Sequence, residues 1–265
     1  MATPLYMLAL LAYILAFTMS LVDREAYPSL RKIVGPALWA GYTAHLAGIG
    51  ATAVAGGLTA LGSPAGSMAF VSALVTAGFL WTRRNPRAEA VGGFVVPLSM
   101  VLLAIALFLP GEAVGETPGG GLWFPVHLTM MLVGLGGFAL AFGVSLLYLL
   151  VRWRLKTKKL MGLSRLPSLE TLDRLNTRFV VLGFAALTVG IAVGGIWAAS
   201  LPERPAMGPT IYGSLVIWVW YAAAIQVRVV GGWRGRLAAG FSVMGFVGLV
   251  SSLIGVLIAV SGWHL

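Results

Sequence analysis

A chain of 265 residues that is 59% hydrophobic and only 10% charged is not an ordinary soluble domain, which carries about 25% charged residues. Its mean hydropathy of +0.93 comes in continuous rather than alternating apolar runs, which favours membrane helices over a β-barrel. The net charge of +10 sits between those runs, as in membrane loops and unlike a nucleic-acid groove, and the absence of cysteine excludes disulfides, thiolate metal sites and dithiol relays.

In chain order the apolar runs fall at about 3–22, 34–60, 66–82, 91–109, 123–151, 179–200, 211–230 and 237–262. Each is long enough for a membrane crossing, which needs roughly 20 apolar residues. The first run lacks the positive leader of a cleaved signal peptide and reads as a retained span. The second exceeds the membrane's thickness and has to tilt or break near Gly56 and Gly57. The expectation is an all-α, polytopic membrane helix bundle of about eight transmembrane helices, forming a single integral membrane domain over residues 1–265. The fifth run, from Trp123, and the basic connector after it split the spans into four before and four from that point. Within the connector, Ser168 reads as an N-cap ahead of ETLDRLNTR, which fits a short interfacial helix or a solvated charged loop.

Orientation follows from the cations. Of 18 Lys and Arg residues all but Arg204 lie after spans one, three, five and seven or at their ends. The positive-inside rule makes those loops cytoplasmic and puts both termini on the outer side. Small residues mark close helix contacts: Gly190 and Gly194 in the sixth span, and Gly134, Gly137 and Gly143 in the fifth.

Chemistry has few candidates. The span interiors hold no Asp, Glu or Lys, which argues against a carboxylate-driven pump. Three histidines remain. His127 opens the fifth span and His264 closes the eighth, so topology puts both near the outer interface. Two imidazoles on different helices can supply both axial ligands of a heme iron, here heme b held non-covalently. Met130, Met131 and Gly134 would make a soft, roomy surface on one side and Leu257 and Val260 an apolar one on the other, with Arg204 placed to pair with a propionate. Interfacial histidines also serve simply as helix-end anchors, and that reading stays open. His45, inside the second span beside Tyr42 and Thr43, fits either a ligand or a neutral histidine bonded to a neighbouring helix.

Several segments together resemble the CcsA/ResC and HemX-like group of cytochrome c assembly membrane proteins. LPSLETLDRLNTRFVVLGFAALTVGIAVGGIWA is similar to the group's corresponding stretch, and VHLTMMLVGLGGFALAFGVSLLYLL looks like its histidine-bearing span. GGWRGRLAAGFSVMGFVGLVSSLIGVLIAVSGWHL resembles its last span, with Gly262 and His264 one residue closer than the group's Gly-x-x-His pattern. The resemblance implies heme handling, with His127 and His264 as the outward-facing ligands, and it matches His45 to a second-span histidine of HemX-like relatives. Two departures limit it. The tryptophan-rich WGxxWxWD-type outer segment is missing between spans six and seven, where Trp197 and Trp218 stand without it, and Gln226 replaces a membrane histidine. Both place the chain nearer the small HemX-like branch and leave it without an assigned catalytic residue.

The resemblance therefore implies an inner (plasma) membrane protein that binds or relays heme near the outer face. Its partners would be the lipid bilayer and a ResB-type assembly subunit or a heme-synthesis enzyme, with no nucleic acid. The alternative is a non-catalytic scaffold or regulator of tetrapyrrole synthesis that acts through its basic cytoplasmic loops.

Overall fold

The computed structural model describes residues 2–22, 28–84, 86–109, 111, 121–158, 166–201, 208–232 and 234–261. Among them the regular elements are all helical: α1 (Ala2–Leu21), α2 (Pro28–Arg31), α3 (Val34–Gly56), α4 (Pro64–Thr82), α5 (Gly92–Phe108), α6 (Trp123–Lys156), α7 (Leu169–Ser200), α8 (Pro209–Val229) and α9 (Arg236–Ser261). Each of the eight apolar runs has become a helix, and α2 is a single turn between the first two. Among the described residues six helical stretches are both long and apolar enough to cross a membrane: Ala2–Leu21, Pro64–Thr82, Ala88–Phe108, Trp123–Lys156, Leu169–Ser200 and Ile211–Val229. The 23 residues of α3 would also reach across, but its glycines, Tyr42, Thr43 and His45 dilute its apolarity. The chain is a polytopic helical membrane bundle.

The packing divides into two compact units, Met1–Gly120 and Gly121–Leu265, four long helices in each. In the first, α1 packs on α3 and α5, and α4 packs on α5. The α1–α3 seam is closed by rings lying over glycines. A Cβ on Gly41 would come 2.8 Å from the Tyr13 ring, and one on Gly48 would come 2.7 Å from the Tyr6 ring. The second run breaks where expected: α3 ends at Gly56, and Gly57 takes a φ of +70 that only glycine adopts without strain. A 3-10 turn at Leu58–Gly62 leads into α4, whose first free amides are met by Ser63 as N-cap, accepting from Gly66 N at 3.0 Å.

In the second unit α6 packs on α7 and α9, and α8 packs on α9. The α6–α7 seam is built from the glycines flagged by spacing. A Cβ on Gly137 would lie 2.8 Å from Gly183 Cα, and one on Gly134 would lie 3.2 Å from Gly183 O, so the two backbones touch as small residues permit.

Two boundaries differ from expectation. ETLDRLNTR is neither a separate interfacial helix nor a loop: it is the opening of α7, which runs unbroken for 32 residues. Leu172, Leu175, Asn176, Phe179, Val180 and Gly183 form one continuous buried face with no helix breaker among them, so the polar start and the apolar span propagate as one helix. Ser168 does cap it, accepting from Thr171 N at 3.2 Å. The fifth span likewise continues past residue 151 to a 34-residue α6, about 50 Å at 1.5 Å per residue, carrying Arg152, Arg154 and Lys156 beyond the apolar stretch.

The end of this unit opposite His127 is tied by a clasp. Asp173 on α7 accepts from both Arg228 Nη atoms, at 2.5 and 3.3 Å, and from Gly235 N at 2.9 Å. Gly235 has φ +71, and a side chain there would meet the Tyr148 hydroxyl at 2.6 Å. One turn further along α7, Asn176 accepts from Ser242 of α9 at 2.9 Å. Carboxylate, guanidinium and turn amide thus fix the α8–α9 connection against α7 and α6.

Candidate functional site

The site grows from the start of α6. Phe124, His127 and Met131 recur at helical spacing on the face turned to α7. Opposite them α7 presents glycine twice, one turn apart. A Cβ on Gly190 would lie 3.0 Å from Met131 Sδ, and one on Gly194 would lie 2.6 Å from His127 Nδ1 and 2.7 Å from its Cε1. The imidazole rests where a side chain on α7 would otherwise be, which gives the small residues of the sixth span a specific role.

That seat also settles the proton. His127 Nδ1 is 2.7 Å from the Gly190 carbonyl oxygen. A carbonyl only accepts, so Nδ1 carries the hydrogen, and in the neutral tautomer the lone pair then lies on Nε2. Metal-bound histidines are commonly held this way, one nitrogen donating to a backbone carbonyl while the other ligates.

Trp197 lies beside the imidazole, ring centroids 6.3 Å apart and planes 22° from parallel, and Phe124 packs on that indole at 5.1 Å. Deeper in the unit, an apolar cavity of about 170 Å³ is bordered by Met131, Leu135 and Phe138 of α6, Leu187 of α7, Ile217 of α8 and Leu249 of α9. Phe138 is held at its wall by stacking on Tyr221, with ring centroids 3.6 Å apart. No group of three or more His, Cys, Asp or Glu side chains that could hold a bare metal ion occurs among the described residues.

His45 belongs to the first unit. It is fully buried, its Nδ1 faces the Tyr13 hydroxyl at 3.2 Å, and the Tyr6 ring stands edge-on to it at 5.7 Å. Its Nε2 has no partner in good hydrogen-bonding geometry among the described residues. Ser72, Thr76 and Ser99 form a buried hydroxyl cluster in the same unit, with Oγ separations of 2.9 and 2.6 Å. Such bonds between neighbouring helices explain polar groups at membrane depth. His264 and Arg204 lie outside the described residues, as do the side chains of Leu257 and Val260. The backbone of α9, three residues short of His264, is described, and α9 packs on α6. In the sequence Trp197 marks only the place where a tryptophan-rich segment is missing; its solvent-shielded N–H becomes visible only in three dimensions.

The seat gives a test that leaves the imidazole itself intact. Gly194→Ala is expected to push the ring off the Gly190 carbonyl and lower affinity for an iron porphyrin roughly tenfold, within the range seen when such a partner is lost. The fold should hold, because the clashing atoms belong to a side chain able to rotate. Titration by absorbance beside a melting curve checks both halves.

These features define a class: a multi-pass helical membrane protein whose second four-helix unit presents a tautomer-fixed histidine at one end. Residues 61–264 match the family described as Cytochrome C assembly protein, which is most of the chain. The protein belongs to the cytochrome c assembly family. It is 26% identical to the cytochrome c biogenesis protein CcsA of Gloeobacter violaceus, covering 75% of each chain. Identity to the CcsA of Microcystis aeruginosa is also 26%, over 75% of this chain and 76% of that one. Against the CcsA of Chlamydomonas reinhardtii it is 27%, over 66% of this chain and 51% of the relative.

Proposed function

We propose that this member of the family binds or relays heme near the outer membrane face, with heme as its cargo. The observation that carries the reading is the hydrogen bond from His127 Nδ1 to Gly190 O, at 2.7 Å, which leaves Nε2 as a donor atom for iron. Residues 1–265 work in this proposal as one domain in the cell's inner (plasma) membrane, with both termini outside. His264, three residues past the end of α9 in the sequence, would supply the second axial ligand to a non-covalent heme b; α9 itself packs on α6. The neighbouring cavity accepts an apolar edge of the macrocycle, and burial of that edge adds to affinity. His45, locked to Tyr13, acts in packing the first unit.

The missing WGxxWxWD-type segment and Gln226 in place of a histidine put the chain nearer the HemX-like branch, and they favour holding heme over attaching it. A ResB-type subunit or a heme-synthesis enzyme is the partner expected on either side of such a relay. The test is genetic. Cells lacking the protein should lose covalent heme from c-type cytochromes, as read on a heme-stained gel. The wild-type chain should restore it, and so should one with charges reversed at Lys156, Lys158 and Lys159, whereas His127→Ala should not. Restoration by His127→Ala together with failure of the charge-reversed chain would instead favour a regulator acting through its basic loops.

A further inference from the structure

Trp197 carries an unexplained polar atom. Its Nε1 is shielded from solvent yet has no hydrogen-bond partner among the described residues. Two other indoles of the same unit are satisfied: Trp218 Nε1 donates to Thr188 Oγ1 at 2.9 Å, and Trp220 Nε1 donates to the Phe241 carbonyl at 3.0 Å. An indole nitrogen can only donate, and a shielded donor without an acceptor is costly. An indole serving merely as a membrane-interface anchor keeps its N–H wet, and this one does not.

We propose that Trp197 is a ligand-anchoring residue whose Nε1–H donates to a carboxylate of the molecule held at His127. The inference rests on the heme reading above and adds which group of the ligand is recognised. The chemistry narrows the acceptor. In an iron porphyrin the ring nitrogens are occupied by the metal and the rim is hydrocarbon, so the propionate carboxylates are its hydrogen-bond acceptors. The indole ring lies 6.3 Å from the imidazole, close enough for one ligand to touch both. Trp197 is itself partly exposed, so a ligand seated at His127 can reach its ring. A bond to a charged acceptor is about twice as strong as one between neutral groups, which makes a single donor measurable.

The experiment titrates the full-length chain in detergent with two probes: heme, which has carboxylates, and iron octaethylporphyrin, which has none. Trp197→Phe keeps an aromatic ring against Phe124 and His127 and removes only the donor. The expected result is roughly tenfold weaker heme binding, an unchanged spectrum at saturation, and equal affinity of wild type and variant for iron octaethylporphyrin. Unchanged heme affinity in the variant overturns the proposal, as does an equal loss for both probes, which would show a packing role alone. If the wild type binds neither probe, the heme reading at His127 fails and the assignment of Trp197 falls with it.

Discussion

His127→Ala is expected to lose heme by more than the roughly 10–100-fold that removal of a supporting partner costs a metal site. Here the ligand itself goes, and the Gly190 carbonyl loses its donor as well. The loss should appear as a collapse of the heme absorbance of the purified protein. Stability should change little, because the imidazole is only partly buried and sits at the end of α6, with one hydrogen bond to the neighbouring helix. A variant that retains heme at wild-type affinity would remove His127 from the site. One that fails to fold would show that the imidazole is an anchor for α6 and α7, the alternative that its interfacial position leaves open.

The second large effect lies at the other end of the same unit. Asp173→Ala should destabilise the protein by about 2–4 kcal/mol, somewhat less than the loss of a fully buried pair because both side chains retain some exposure. The Arg228 side chain is only 18% exposed and the Asp173 side chain 16%. Without the carboxylate, the Gly235 amide loses its acceptor and the guanidinium keeps only the backbone carbonyl of residue 173, at 3.5 Å. Replacing both charged partners, as Asp173→Leu with Arg228→Met, should be milder than the single change, since no uncompensated charge remains. Thermal unfolding in detergent compares the three chains. Equal stability of Asp173→Ala and wild type would mean that the clasp contributes nothing net.

Much of the architecture is legible in the sequence because membrane helices must satisfy their own backbone, which ties apolar run length directly to helix position. The break at Gly56–Gly57 and the four-plus-four division at Trp123 follow from that. So does the use of Gly134, Gly137, Gly190 and Gly194 at a close seam, since a backbone approach of that kind admits little else. What the sequence hides is the direction in which a polar group is satisfied. Asp173 and Arg228 are 55 positions apart and each reads as one more loop charge; only the fold joins them. ETLDRLNTR reads as a separate piece because its charges end the apolar pattern, yet its leucines extend the buried face of α7. His127 is visible as a candidate from its depth, but its proton position needs the Gly190 carbonyl, 63 residues away.

The same contrast separates two of the three histidines. His45 and His127 are both membrane histidines of one chain, and spacing alone ranks neither above the other. Burial does: His45 is enclosed with its Nδ1 facing a tyrosine, whereas His127 is only partly buried and has one nitrogen engaged by a carbonyl. A ligand needs a lone pair that can be reached, so the second arrangement is the one suited to an incoming iron.

In the proposal above, heme iron is held by histidine at the outer end of the second unit. The most direct measurement is the absorption spectrum of the purified wild-type protein during reconstitution with heme. Saturable binding with a six-coordinate, low-spin spectrum is the predicted result, because two imidazoles complete the iron's axial positions. A five-coordinate spectrum would contradict the pairing with His264, and a preparation that stays colourless on reconstitution would contradict the claim itself.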